Sequence, residues 1–175
     1  RDLVALMPGS RSHELIRHLG VFLQAAVILN EKRQDLQFVL NLANEKDLHY
    51  AKSVCEGFDL NVRICSIDSC QILTAADAAI VASGTVTLES LLCGTPMVVG
   101  YKLSSLSFIV ISRLVRISNV ALPNILSGQQ LVPEFIQSAM TAENLADSTI
   151  NGLSEKGAKA NFYQQSRLLH RELVS

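Results

Sequence analysis

Ala78-Ala79-Ile80-Val81-Ala82-Ser83-Gly84-Thr85-Val86-Thr87-Leu88-Glu89 is the stretch that decides how this chain is built. Its first four residues are an unbroken apolar run, the mark of a strand buried on both faces. Ser83-Gly84-Thr85 is a small, hydroxyl-rich turn, and the residues after it carry a helix to Gly94-Thr95-Pro96. That helix stops with glycine past the last turn and proline beyond it. Such a turn exposes backbone N–H groups at the positive end of a helix dipole, where a phosphate or diphosphate binds without a cationic side chain. Glu89 falls about one and a half turns into the helix, within reach of sugar hydroxyls beside that phosphate.

The same alternation continues on both sides. Residues 3–7 are a short apolar run, and Pro8-Gly9-Ser10-Arg11 is a turn. Residues 12–31 have helical spacing, with Leu15, Leu19, Phe22, Leu23, Ala26 and Val27 on one stripe. Strands are predicted at 36–40, 61–65 and 97–100, helices at 45–55 and 71–75, and a mostly helical region from about residue 104. Strands alternating with helices predict an α/β fold, a Rossmann-like, doubly wound, mostly parallel sheet with C-terminal helices. The 175 residues suit one domain with a sizeable core. The chain enters its first strand directly after Arg1-Asp2, without an initiator Met, and so reads as a piece of a longer protein.

Composition excludes several classes. A net charge of -1 gives no electrostatic case for nucleic acid. Cys55, Cys65, Cys70 and Cys93 form neither a CxxC pair nor a zinc spacing and read as reduced thiols of a cytoplasmic protein. No apolar run has the length of a membrane span. His13 and His18 invite a zinc reading, but they are five residues apart, roughly 140° around a helix, where the zincin pattern needs four. No metal site is expected.

Two turns are therefore candidate anion sites. Gly9 permits close backbone approach, Ser10 or Ser12 can cap the following helix, and Arg11 offers a fork for phosphate oxygens. Ser83, Gly84 and Thr85, with Glu89, make the second. The plainer reading of each is a helix cap. Neither matches GxGxxG or Walker A. Residues 102–117 form a basic, apolar stretch that can lie on an anionic membrane surface or pack on the sheet. Pro133 reads as the first residue of a helix. Asn124, Glu134 and Gln137 are polar groups among apolar ones, open to roles as ligand contacts or structural hydrogen-bonders.

MPGSRxxE at 7–14, ASGTxTLE at 82–89, GTPMVVGYK at 94–102, LPNIL at 122–126 and VPEFIQ at 132–137 occur in that order. Together they resemble the C-terminal half of the lipid-A-disaccharide synthase family, inverting glycosyltransferases of the two-domain GT-B type. The resemblance covers essentially the whole chain. It implies transfer of 2,3-diacylglucosamine from UDP to 2,3-diacylglucosamine 1-phosphate, giving a β-1',6-linked disaccharide and UDP. This half would hold the UDP part of the donor: Arg11, Ser83, Gly84 and Thr85 at the diphosphate, Glu89 at the ribose, with Gly9 and Ser10 in the same donor site. Asn124, Glu134 and Gln137 would lie near the cleft. The resemblance implies no cofactor and no metal. It places the general base and the acceptor site in a missing N-terminal half, leaving this half inactive alone. It also implies a lipid acceptor, a location at the cytoplasmic face of the inner membrane, and a last helix, within 155–175, that belongs against the missing domain or pairs with a second copy. Competing readings are a UDP-N-acetylglucosamine 2-epimerase, which would want DSGG where Ala82-Ser83-Gly84-Thr85 stands, a murein-type transferase, and a non-catalytic α/β module.

Overall fold

A computed structural model describes residues 1–103, 120–154 and 158–174 of the chain. The membrane-surface reading of residues 102–117 falls almost wholly outside them. Six strands form one sheet: β1 Leu3–Met7, β2 Gln37–Asn41, β3 Val62–Cys65, β4 Ala78–Val81, β5 Met97–Tyr101 and β6 Glu134–Ile136. Their order is β3-β2-β1-β4-β5-β6, and every pairing is parallel. Around the sheet lie α1 Ser12–Lys32, α2 Leu48–Cys55, α3 Ser69–Ala75, α4 Thr85–Cys93, α5 Leu122–Ser127, α6 Ala142–Ser154 and α7 Ala158–Val174.

The apolar runs behave as their composition dictates. All four residues of β4 are buried, as are the first four of β5. Alternate side chains feed two cores. On one face Leu6, Phe38, Leu40 and Ile80 pack with Leu19, Phe22 and Leu23 of α1 and Leu145 of α6. On the other, Met7, Val39, Val81 and Val99 pack with Leu73 of α3, Leu91 of α4 and Phe162 of α7. Phe22, Leu19 and Leu145 are wholly buried, each worth roughly 2 kcal/mol of apolar transfer. On α1, Val27 sits at the half-buried flank and Leu29 completes the stripe.

The region after residue 120 corrects one expectation. Pro133 does not start a helix: Glu134–Ile136 is a sixth strand, with Val99 paired to Glu134 and Tyr101 to Ile136. Proline is tolerated there because the strand is at the sheet edge, and the Pro133 carbonyl still accepts the Val99 N–H at 2.9 Å. The free edge of β5 supplies backbone partners for an extended segment, and that pairing overrides local helical propensity. Residues 45–55, read as one helix, divide into a 3-10 turn at Glu45–Asp47 and α2.

The start of α7 docks on this domain. Phe162 is buried, and the Lys159 ammonium donates to the Ala76 carbonyl at 2.6 Å. Tyr163 lies so close to Gly94 that a Cβ there would come 2.3 Å from its Cδ2. Farther along, Leu168 is 59% exposed.

Candidate functional site

The strand order changes direction between β1 and β4, the place in an open α/β sheet where a crevice opens beyond the carboxyl ends of the strands. Both glycine turns stand there. A cleft of about 560 Å³ is lined by Gly9, Ser10 and Arg11 from the first turn, Ser83, Gly84 and Thr85 from the second, and Glu89 from α4. Glu14, Asn41, Asp68, Ser69 and Tyr101 complete its polar wall. A larger hollow, about 760 Å³, opens beside β2 and β3 near Arg1, Gln37 and Arg63, and contains none of the turn residues.

The two helix starts are not equivalent. At α1 the buried Glu14 reaches back, and its Oε2 accepts the N–H groups of Ser10 (3.1 Å) and Arg11 (3.2 Å). Its Oε1 accepts the Tyr101 hydroxyl at 3.2 Å. Gly9, at φ +127°, leaves the room: a Cβ there would lie 2.6 Å from Glu14 Cβ. Arg11 is the residue before the helix but does not cap it with its side chain, and Ser12 donates to Asp47 Oδ1 at 2.9 Å. Glu14 thus sets a carboxylate of its own on the two N–H groups just ahead of the helix. What this turn presents outward is the Arg11 guanidinium, 70% exposed and 3.6 Å from Glu14 Oε1.

At α4 the flanking residue is Gly84, with φ +154° and nothing within 4 Å of where a Cβ would be. Among the described residues no bond engages the N–H groups of Ser83, Gly84, Thr85 or Val86. Ser83 Oγ donates to the Val120 carbonyl at 2.8 Å, and Thr87 Oγ1 to the Gly84 carbonyl at 2.7 Å. Glu89 accepts from the Ser69 hydroxyl across the cleft. Asp68 caps α3 by accepting the Gln71 N–H at 3.2 Å. Among the described residues Arg11 is the one cationic side chain in the lining, against Glu14, Asp68 and Glu89. An anion therefore fits near Arg11 and the α4 N-terminus, and hydroxyl groups fit beside Glu89.

Three nominated residues stand elsewhere. The wholly buried Asn124 bonds Val132 through both its amide nitrogen (2.8 Å) and its oxygen (2.9 Å). Glu134 accepts the N–H groups of Val120 (2.7 Å) and Ala121 (3.1 Å). Gln137, at φ +54°, accepts the Leu103 N–H at 2.8 Å. None of the three lines the cleft.

Sequence reasoning gave Glu14, Tyr101 and His18 no place in the site: Glu14 and Tyr101 stood only inside motifs, and His18 was weighed only as a zinc ligand. Glu14 stands three residues after Arg11, the capping-box position, and that spacing was the available signal. His18 is wholly buried. Its Nδ1 lies 2.8 Å from the Pro8 carbonyl, which can only accept, so this nitrogen carries the proton. Its Nε2 then accepts the Lys102 N–H at 3.1 Å. The ring ties the first turn to the end of β5 and stacks on Phe22 at 6.1 Å. Burial holds its pKa below the ordinary histidine value. Burial, then Glu14, pushes the Tyr101 phenol up. Among the described residues no group of three or more His, Cys, Asp or Glu could hold a metal ion, and the four cysteines are free thiols.

Residues 1–174 match the model of the lipid-A-disaccharide synthetase family. The chain is 39% identical over 171 residues to lipid-A-disaccharide synthase of Pseudomonas entomophila, covering 98% of this chain and 45% of that protein. It is 41% identical over 172 residues to the Pseudomonas putida KT2440 enzyme of that name, covering 97% and 46%. It thus spans a little under half the length of these relatives. In fold it is similar to the C-terminal CMP-Kdo binding domain of WaaA from Acinetobacter baumannii, with TM-score 0.66 at 13% identity over 97% of this chain and 89% of that one. The sheet has the topology of one half of a GT-B fold, and on the family match this chain belongs to the lipid-A-disaccharide synthases.

Proposed function

We propose that this chain is the donor-binding half of a glycosyltransferase. In that reaction 2,3-diacylglucosamine passes from UDP to the 6-hydroxyl of 2,3-diacylglucosamine 1-phosphate. The observation that carries the reading is the meeting, in one cleft, of the unengaged α4 N-terminus, Arg11 and Glu89. The diphosphate sits on the N–H groups of Gly84 and Thr85 with Arg11 beside it, and the ribose hydroxyls donate to Glu89. Gly9 and Ser10 shape the wall that presents Arg11.

The chemistry follows from where charge develops. The acceptor oxygen attacks the anomeric carbon, the bond from that carbon to the β-phosphate oxygen breaks, and the electron pair leaves with UDP. Fixed N–H dipoles and Arg11 stabilise the growing negative charge without a metal, each such donor worth on the order of 3 kcal/mol. The acceptor's proton goes to a general base outside this chain, so the isolated chain binds UDP and makes no disaccharide. The lipid acceptor implies work at the cytoplasmic face of the inner membrane. No described helix is long and apolar enough to cross a membrane, which fits peripheral contact, and the basic, apolar stretch at 102–117 supplies a sequence suited to it.

A calorimetric titration with UDP, repeated with ADP, with magnesium and with EDTA, tests the reading. The expected result is UDP binding that EDTA leaves unchanged and that exceeds ADP binding. No heat at millimolar UDP, or binding that magnesium alone confers, refutes it.

A further inference from the structure

We propose that Glu134 and Asn124 are positioning residues: they set the 120–122 loop, and through it the Ser83-Gly84-Thr85 turn, without touching the nucleotide. The inference rests on the nucleotide-site reading above and assigns these two residues a different task within it.

The hydrogen bonds they make among the described residues go to the protein's own loop. Glu134 accepts the N–H groups of Val120 and Ala121 and the amide of Asn124. Both amide hydrogens of Asn124 are used, on Val132 and Glu134, and its oxygen takes the Val132 N–H. Glu134 also has the wrong sign to face a diphosphate, and its carboxylate is well matched to two backbone donors. From the loop so held, two bonds run to the cleft. The Val120 carbonyl accepts the Ser83 hydroxyl at 2.8 Å. The Leu122 N–H donates to Thr87 Oγ1 at 3.3 Å, and that hydroxyl donates to the Gly84 carbonyl at 2.7 Å. The N–H groups of the α4 start are useful to an anion only while they are held in direction. Glycine at φ +154° gives the turn no stiffness of its own, so the direction comes from these bonds.

Glu134→Gln places an amide NH₂ where one backbone N–H now finds an oxygen, and so releases one side of the loop. UDP affinity is measured for the wild-type chain, Glu134→Gln, Ser83→Ala and the double variant, with thermal unfolding of each. The expected outcome is a loss of about fivefold or more for each single change, one hydrogen bond's worth. In the Ser83→Ala background, Glu134→Gln then costs less than it does alone, because one of the two links is already cut and only the Leu122–Thr87 link remains. Losses that multiply overturn the positioning role and leave the nucleotide site standing. A Glu134→Gln variant that melts earlier but binds UDP as the wild type does overturns it too. A wild-type chain that does not bind UDP removes the nucleotide-site reading and this inference together. Should Glu134→Gln not fold, amide exchange in the wild-type chain decides. Val120 and Ala121 protected equally with and without UDP support the proposal, and a tenfold or greater change in their protection on adding UDP overturns it.

Discussion

Replacing Gly9 by alanine tests how the first turn is built. The residue sits at φ +127°, where a side chain is strained, and its Cβ would fall 2.6 Å from Glu14 Cβ and 2.8 Å from Glu14 Oε2. Backbone strain of this kind costs roughly 1–3 kcal/mol. The contact cannot be relieved without moving Glu14, which gives up its bonds to the Ser10 and Arg11 N–H groups. Those are charge-assisted bonds to a buried carboxylate, about 1.5 kcal/mol each. The sum is about 4–6 kcal/mol, a large part of a typical domain's stability of about 5–15 kcal/mol. Gly84→Ala is the internal control. It has φ +154° and meets nothing within 4 Å, so it carries the strain alone, about 1–3 kcal/mol. Urea unfolding followed by circular dichroism measures both, with the two-state slope held common. The difference between the two variants, about 3 kcal/mol, isolates the Glu14 contribution. A Gly9→Ala variant as stable as Gly84→Ala would refute the account of Glu14 as the plug of this turn. Gly84→Ala should instead show its main effect on UDP, because its Cβ stands where a phosphate would approach.

Further outcomes follow from the same structure. Buried His18 has a pKa below its ordinary value of 6.5, so the unfolded chain takes up its proton first as pH falls. The stability that His18 contributes is complete above about pH 6.5 and is lost as pH drops below it toward the folded value. His18→Gln should flatten the urea midpoint between pH 7 and 5, and an unchanged slope would refute the assignment. Thr95 is wholly buried and donates from Oγ1 to the Leu73 carbonyl at 2.6 Å, which ties α4's end to α3. Thr95→Val should cost about 1 kcal/mol, or roughly 3 °C in midpoint for a domain of this size. No shift on a thermal melt would mean the bond contributes nothing net.

The first five strands and the helices between them were legible in the sequence because local physics decides them. Ala78–Val81 has no polar residue and must be covered on both faces. Gly94 ends its helix at φ +69°, a conformation glycine adopts without strain, and the alternation of such runs leaves a parallel sheet as the natural packing. Ser83-Gly84-Thr85 announced an unsatisfied helix start. The sequence could not say that Gly9 and Gly84, far apart along the chain, share a cleft. That depends on which strands become neighbours. Crossovers between parallel strands are right-handed, so α1 and α2 on one face carry the chain from β1 through β2 to β3. The step through α3, on the other face, must run the opposite way and brings β4 beside β1. Nor could the sequence distinguish the two turns. Glu14 covers the Ser10 and Arg11 N–H groups ahead of α1, and nothing described covers those of Ser83 and Gly84 ahead of α4, a difference set by where one carboxylate folds back. The same holds for Glu134. Three residues after a proline look alike as a helix start or an edge strand until β5 offers its free edge, and only then does the carboxylate meet the backbone of residues 120 and 121.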